Sequence, residues 1–315
     1  METILVTGGA GFIGSHLCEK LLELGYGVIC IDNFDDYYDP KVKEKNLKVC
    51  LKDPRFKLDI TDVGDFHELE KIFEKNKISK IVHLAAKAGV RASLKNPEKY
   101  REVNVNGTLN LLELARKFNI KKFIFGSSSS VYGTNKKIPF SEKDQTDNIT
   151  SPYAETKRTA EIFCSYYHKM FKMNIICLRY FTVYGPRGRP DMAPYKFTKL
   201  IASGEEVPVY GDGGSKRDYT YVSDVVDGIV RALDKNLGFE IINLGNSKAV
   251  ELRYLISLIE DNLGKKAKIK QLPIQAGDVP ITYADIKKAK KLLGWEPKIK
   301  IEEGIKRLVK WYNEQ

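Results

Sequence analysis

The stretch Gly8-Gly9-Ala10-Gly11-Phe12-Ile13-Gly14 lies between a short apolar run, Ile4 to Thr7, and an amphipathic stretch reaching Leu24. A strand that passes through so glycine-rich a turn straight into a helix opens a βαβ unit, which commits the chain to a parallel sheet. The turn reads as GxGxxG from Gly9 or as GxxGxxG from Gly8. On either reading glycine lets the backbone turn tightly and approach a pyrophosphate, whose charge meets the helix N-terminus. An acidic side chain about 20 residues further on is needed to hold a ribose diol. Asp32 stands 24 residues after Gly8, at the end of the apolar run Gly27 to Ile31, with Asn33 beside it. No Arg or Lys follows Asp32 before Lys41, so no partner for a 2′-phosphate is evident, and the sequence predicts NAD rather than NADP.

Apolar runs recur at 56–58, 80–85, 122–125, 174–178 and 239–244, with helical periodicity at about 62–75, 99–119 and 153–171. Strands alternating with helices in this way predict an α/β fold with a doubly wound (Rossmann) parallel sheet. Beyond about residue 180, Pro186, Pro190, Pro194 and Pro208 interrupt the rhythm, and helical stretches return at about 224–234, 250–263, 284–293 and 301–313. The expected organisation is a dinucleotide-binding domain over 1–180, rejoined by a segment near 225–250, and a smaller, discontinuous α/β substrate lobe over 181–315.

Lys and Arg total 52 against 41 Asp and Glu, a net charge of +11. The excess is dispersed, and its densest stretches, 265–268 and 287–291, carry no aromatics, so no nucleic-acid partner is expected. The five cysteines have no metal-ligand or redox spacing, and no metal is expected. No apolar run approaches the ~18 residues of a membrane span. The chain enters its first strand without a signal segment, which predicts a cytoplasmic protein.

Tyr153 and Lys157 stand four residues apart, on one face of a helix that Ser151 can cap and Pro152 can begin. A nearby ammonium favours the phenolate, making Tyr153 an acid/base candidate near neutral pH. The preceding strand ends in Gly126-Ser127-Ser128-Ser129-Ser130, hydroxyls at the carboxyl edge where such sheets bind ligands. Together with the glycine turn, these residues predict a hydride-transfer site.

Thr7 to Gly14, His83-Leu84-Ala85-Ala86, Asn104 to Thr108, Ser128 to Gly133, Tyr153 to Lys157, Arg179-Tyr180-Phe181, Val183 to Pro186 and Arg217-Asp218-Tyr219 resemble the extended short-chain dehydrogenase/reductase superfamily over nearly the whole chain. The resemblance implies NAD in the large lobe and a UDP-sugar in the small one. It implies cofactor contacts from Gly8, Gly11, Phe12, Ile13, Gly14, Asp32, Asn33, Asp59, Ile60, Leu84, Ala85, Ala86, Asn104, Lys157, Tyr180 and Val183. Substrate contacts are implied for Lys87, Arg91, Ser127, Ser128, Thr182, Arg189, Pro208, Tyr210, Arg217 and Asp278. Tyr153, Lys157 and Ser128 would be catalytic. The helices near 99–119 and 153–171 match those that pair across a homodimer interface in this superfamily.

The resembling sugar 4,6-dehydratases carry Asp-Glu where Ser129-Ser130 stand, and UDP-glucuronate decarboxylases a glutamate in place of Ser130. Without those carboxylates, what remains is oxidation and re-reduction at one carbon, the chemistry of a 4-epimerase. Thr182 to Ala193, Ala88 to Arg91, Asn33 to Tyr38 and Gly277 to Pro280 are similar to the UDP-glucuronate 4-epimerases, which implies UDP-glucuronate as substrate and UDP-galacturonate as product. One departure is Lys87, where that family more often has glutamine. A UDP-glucose/UDP-galactose 4-epimerase is the alternative, and a non-catalytic NAD-binding scaffold a more distant one.

Overall fold

The computed structural model describes residues 1–273 and 279–315. Asp278, one of the expected substrate contacts, lies outside the described residues. In chain order the elements are β1 (Thr3–Thr7), α1 (Phe12–Glu23), β2 (Gly27–Ile31), α2 (Pro40–Leu47), β3 (Phe56–Asp59), α3 (Phe66–Lys75), β4 (Lys80–His83), α4 (Val90–Lys95), α5 (Pro97–Arg101), α6 (Gly107–Lys117), β5 (Lys122–Ser128), α7 (Pro152–Phe171) and β6 (Asn174–Tyr180). There follow β7 (Thr182–Tyr184), α8 (Ala193–Ser203), β8 (Glu206–Tyr210), β9 (Lys216–Tyr221), α9 (Val222–Leu233), β10 (Phe239–Leu244), β11 (Ala249–Glu251), α10 (Leu252–Leu263), β12 (Lys268–Leu272), α11 (Lys287–Leu293) and α12 (Ile301–Asn313).

β10, β6, β5, β4, β1, β2 and β3 form, in that spatial order, a seven-stranded sheet. The chain winds outward from β1 through β2 to β3, then returns to β4 on the other side of β1. This reversal is the switch point at whose carboxyl edge doubly wound sheets bind ligands. β2 is buried at every position, and β5 likewise, the continuous apolar reading of strands covered on both faces. Behind β5, Phe123 and Phe125 pack with Ala160 and Cys164 of α7 and Leu111 and Ala115 of α6 in one core cluster.

Two compact units divide the chain. The first holds Met1–Asn135, Lys143–Tyr180 and Val226–Ile242; the second holds Lys136–Glu142, Phe181–Val225 and Asn243–Gln315. The assignment of Lys136–Glu142 has a local cause: Phe140 N donates to Tyr283 O (2.8 Å), Asp285 N to Phe140 O (2.8 Å) and Asn243 Nδ2 to Phe140 O (2.9 Å). In the second unit β9 lies between β7 and β11, and β8 pairs with β12. Trp295, fully buried, donates its indole N–H to Asp224 O (2.8 Å). Among the described residues no helix is long and apolar enough to cross a membrane.

α2, α4 and α8 are not among the expected helices, and two expected helices differ in form. The helix expected from about 62 begins at Phe66, because Asp65 caps it by accepting from Glu68 N (3.1 Å). The single helix expected over about 99–119 is α5 and α6 joined by a π-helical turn, Glu102–Asn106. Such widened turns recur where a side chain must leave the helix for a functional purpose. Here the turn carries Asn104, whose side chain accepts from Lys87 N (2.8 Å) and donates to Lys87 O (3.0 Å) and Thr156 Oγ1 (3.0 Å).

His83, at the end of β4, is 1% exposed. Thr108 Oγ1 donates to Asn104 O (2.6 Å) and so accepts from His83 Nε2 (3.0 Å), leaving Nδ1 to accept from Thr7 Oγ1 (2.7 Å). The ring is therefore neutral, and burial, with the Lys157 charge, pushes its pKa down to about 3. Because this lies below the unfolded value of about 6.5, the stability contributed by neutral His83 is complete above pH 6.5 and is lost as pH falls toward 3. Going from pH 7 to pH 5 should cost about 2 kcal/mol. Urea unfolding of the wild type should show this loss, and His83→Asn should show a pH dependence smaller by that amount; equal dependences would refute it.

Candidate active site

Each glycine of the turn after β1 has its own reason. Gly8 has φ +70°, and a Cβ there would stand 2.7 Å from Ala85 N, so only glycine turns the chain this closely under the loop after β4. A Cβ on Gly9 would meet Cys30 Sγ at 2.5 Å, and one on Gly14 would meet Gly8 O at 2.1 Å. A Cβ on Gly11 would instead touch Gly8 O at 3.2 Å and otherwise face open space among the described residues. Gly11 is also the N-cap of α1, and no side chain caps the helix there. The crowded positions pack the turn, while the open one leaves uncapped amides for an anion. Phe12 is buried and Ile13 half-buried behind it.

Asp32, 6% exposed, ends β2 beside this turn. Its carboxylate accepts from Ala10 N (3.2 Å), Phe34 N (2.9 Å) and Lys43 Nζ (3.3 Å). Asn33 is exposed and donates to Asp62 (2.7 Å). Asp59 closes β3, and Ile60 beyond it is 70% exposed, an apolar side chain at the same sheet edge. Leu84, Ala85 and Ala86 follow β4, with Leu84 N donating to Thr7 O (3.1 Å) and Ala85 N to Thr7 Oγ1 (3.3 Å). Lys87 comes next; its ammonium donates to both carboxylate oxygens of Asp35 (2.7 and 2.6 Å). Arg91 lies exposed on α4.

Ser151 caps α7 by accepting from Ala154 N (3.2 Å), and Pro152 starts the helix. Tyr153 and Lys157 follow on its first two turns. The half-buried Tyr153 ring packs edge-on against Tyr100, centroids 6.3 Å apart. Lys157 is 4% exposed; its Nζ donates to Gly126 O (2.7 Å) and lies 4.9 Å from the centroid of the Phe125 ring. Burial lowers its pKa to about 8, against the pull of Glu161. Ser128 ends β5 and caps the short turn Ser129–Tyr132, its hydroxyl accepting from Ser130 N (3.2 Å) and donating to Ser130 Oγ (3.1 Å). Opposite Ser128 in register is Tyr180, whose Oη is buried with no hydrogen-bond partner among the described residues. Burial pushes that phenol well above its ordinary pKa, leaving a neutral donor at the strand edge for a ligand.

Ser127 is turned away from this edge. Its hydroxyl donates to Glu161 Oε1 (2.7 Å), and Glu161, fully buried, also receives two parallel bonds from Arg179 (2.8 Å each) and one from Arg158 (3.3 Å). The Arg179 guanidinium in turn stacks 4.7 Å from the Tyr132 ring centroid.

In the second unit, Thr182 is half-buried and Val183 buried in β7, which pairs with β9. Arg189 grips Asp191 with two bonds (3.0 and 2.6 Å). Pro208 and Tyr210 are half-buried positions of β8, and Arg217 lies on β9, donating to Lys216 O (3.0 Å). Next to Arg217, the buried Asp218 accepts from Asn246 N (2.6 Å), Ser247 N (3.0 Å) and Ala284 N (3.0 Å) and so pins three segments together.

Residues 5–308 match the family model described as GDP-mannose 4,6 dehydratase. The chain belongs to this family. Among its relatives, the UDP-glucuronate 4-epimerase of Thermodesulfobacterium geofontis is 47% identical over 100% of this chain and 97% of its own length. The structure of UDP-glucuronic acid 4-epimerase from Bacillus cereus, solved with UDP-glucuronic acid and NAD, superposes with a TM-score of 0.94 at 38% identity, covering 99% of both chains. That of UDP-glucose 4-epimerase from Thermotoga maritima, solved with UDP-glucose, gives a TM-score of 0.91 at 35% identity, again over 99% of both.

Three features of this family member escape sequence reading. Lys43 reaches Asp32 although it is 11 residues away, because α2 folds back onto the end of β2; the signal was Asp39-Pro40, a capped helix start. Glu161 is legible only as an acidic residue one turn beyond Lys157, and its three partners come from β5, α7 and β6. The Lys87–Asp35 pair joins two loops 52 residues apart, with no local signal at all.

Proposed function

We propose that this chain is an NAD-dependent 4-epimerase that converts UDP-glucuronate to UDP-galacturonate. The observation that carries the reading is the Tyr153–Lys157 helix beside a strand end, Ser128 to Ser130, made of hydroxyls alone. A dehydratase needs a carboxylate acid/base pair there to remove water; hydroxyls suffice to hold a sugar oxygen during oxidation and reduction at one carbon.

The residues fit the dinucleotide. Gly11 leaves room over the uncapped amides of α1 for a pyrophosphate, Asp32 stands where a ribose diol donates, and the unpartnered Tyr180 hydroxyl awaits a polar group. Asn33, Asp59, Ile60 and Leu84 to Ala86 line the same edge, and Asn104 fixes the last of these loops. Lys43 is committed to Asp32, so it is not a free cation for a 2′-phosphate. When bound, NAD supplies reversible two-electron oxidation at the sugar C4.

The chain's own work is proton transfer and positioning. Tyr153, as phenolate, takes the proton of the 4-hydroxyl and gives it back after the sugar has turned over. Lys157, held by Gly126 O, keeps a positive charge beside that phenolate. Ser128, its hydroxyl oriented by Ser130, bonds the same sugar oxygen. The 4-keto intermediate of a uronic acid is a β-keto acid, which loses carbon dioxide when its carboxylate stands perpendicular to the ketone. Arg189 is suited to prevent this, since its guanidinium fork already holds a carboxylate by two bonds, and the substrate's group would take the place of Asp191. Thr182 adds a hydroxyl to the same task. Ser127, committed to Glu161, holds α7 to β5 instead. Pro208, Tyr210, Arg217 and Asp278 remain the expected contacts of the uridine diphosphate, and Arg91 one near the sugar.

A homodimer is part of the proposal. Ile162, Tyr166 and Met170 recur every fourth residue of α7 and are 53%, 51% and 59% exposed, a stripe that a second copy would cover. A cytoplasmic location accords with five free, buried cysteines.

The test is incubation of purified protein, without added NAD, with UDP-glucuronate and UDP-glucose separately, resolving products by anion exchange and proton NMR. UDP-galacturonate should form at least about tenfold faster than UDP-galactose. UDP-galactose alone would establish the alternative epimerase, and a UDP-pentose would refute the assigned role of Arg189. Bound NAD without turnover of either sugar would identify a scaffold.

A further inference from the structure

The loops after β2 and β4 flank the glycine turn, since β1 lies between those strands in the sheet. β2 and β4 are therefore about 10 Å apart, twice the spacing of neighbouring strands. Yet Lys87, in the loop after β4, donates to both oxygens of Asp35, in the loop after β2, at 2.7 and 2.6 Å. β1 and its glycine turn stand between the two loops in the strand order, so the pair bridges loops on either side of that turn. The Lys87 and Asp35 side chains keep 18% and 22% of their surface exposed, so the pair is shielded but not sealed.

We propose that Lys87 and Asp35 form a clasp across the dinucleotide groove that slows release of the bound cofactor. The inference rests on the dinucleotide reading above and reassigns Lys87 from the sugar to the cofactor. An epimerase that returns to the sugar the same two electrons it removed must keep its dinucleotide through every cycle, so a slow release rate is what this reaction needs. Three observations support the clasp. The backbone of Lys87 is fixed on both sides by the Asn104 amide, through Lys87 N (2.8 Å) and Lys87 O (3.0 Å), so the ammonium is delivered from a rigid base. The Asp35 end is fixed as well: Asp35 N donates to Asn33 Oδ1 (3.0 Å) and the Asp35 carboxylate accepts from Tyr37 N (3.1 Å). Burial works to raise the Asp35 carboxyl, but the Lys87 hydrogen bond and charge outweigh it and hold the group below its ordinary pKa, so Asp35 is a carboxylate at neutral pH. The lysine ammonium, with three donors, can serve Asp35 and still offer a proton to a phosphate oxygen passing beneath it.

The test measures NAD release directly, with no sugar present. Protein loaded with NAD is diluted into an excess of an NAD-consuming trap, and the loss of bound NAD is followed for the wild type, Lys87→Gln, Asp35→Asn, the double variant and the reversed pair Lys87→Asp with Asp35→Lys. Each single substitution should speed release about five- to tenfold, the scale of a partly buried two-bond ion pair. The double variant should be no faster than the faster single one, and the reversed pair should regain at least part of the slow release. Wild-type release should quicken with salt, and that of Lys87→Gln much less. Equal release rates across the set, or strictly additive effects in the double variant, overturn the clasp alone. A wild-type protein that binds no NAD overturns both the clasp and the proposed function.

Discussion

Tyr153→Phe should lower turnover of UDP-glucuronate by about a thousandfold or more while the protein still carries NAD. The substitution removes one oxygen and keeps the ring, so the edge-on packing against Tyr100, at 6.3 Å between centroids, is preserved. Tyr153 is half-buried and begins a helix whose cap, Ser151, is untouched, so stability should change by less than about 1 kcal/mol. The loss falls on chemistry because the same hydroxyl takes the proton on oxidation and returns it on reduction, while Ser128 to Ser130 at the strand end supply hydroxyls alone. The measurement is kcat together with the NAD released on denaturation. A variant within tenfold of wild type would remove Tyr153 from the mechanism.

Gly14→Ala should cost both stability and cofactor. The added methyl would stand 2.1 Å from Gly8 O and 2.7 Å from Gly9 Cα, and both are backbone atoms that cannot swing aside. Helix α1 would have to draw back from the turn, taking its N-terminal amides away from the anion they are placed to bind. We expect a loss of about 3 kcal/mol or more and at least about a hundredfold weaker NAD binding, the equivalent of ~2.7 kcal/mol. Gly11→Ala provides the contrast. Its methyl meets one atom, at 3.2 Å, so stability should hold within about 1 kcal/mol while NAD binding falls, because the methyl projects into the open space over the amides. Thermal melting and NAD titration of the two variants separate packing from ligand approach. A Gly14→Ala protein that melts like the wild type would overturn the assignment of glycine roles.

Much of the site was legible because its chemistry is carried by short spacings. The glycine turn, Asp32 at the end of the next strand, the serines ending β5 and the Tyr153–Lys157 pair all lie within a few residues of a strand end or helix start. Local periodicity locates such points. The long helix expected over about 99–119 was misjudged for the same reason. Its apolar repeat continues through the π-helical turn, within which Asn104 bonds the Lys87 backbone, a contact between elements that periodicity does not carry.

Read alone, the sequence carries the alternation of strands and helices through β6, the doubly wound parallel sheet, and the residue types at its carboxyl edge. These follow from backbone geometry and hydrophobic period, which act over one or two turns. Only the tertiary structure decided which glycine packs and which leaves room, that Ser127 turns inward to Glu161 and Arg179 while Ser128 stays at the edge, that Lys43 neutralises Asp32, and that Lys87 crosses to Asp35. Those outcomes depend on charged and polar groups far apart in the chain finding one another once burial has removed water as the competing partner.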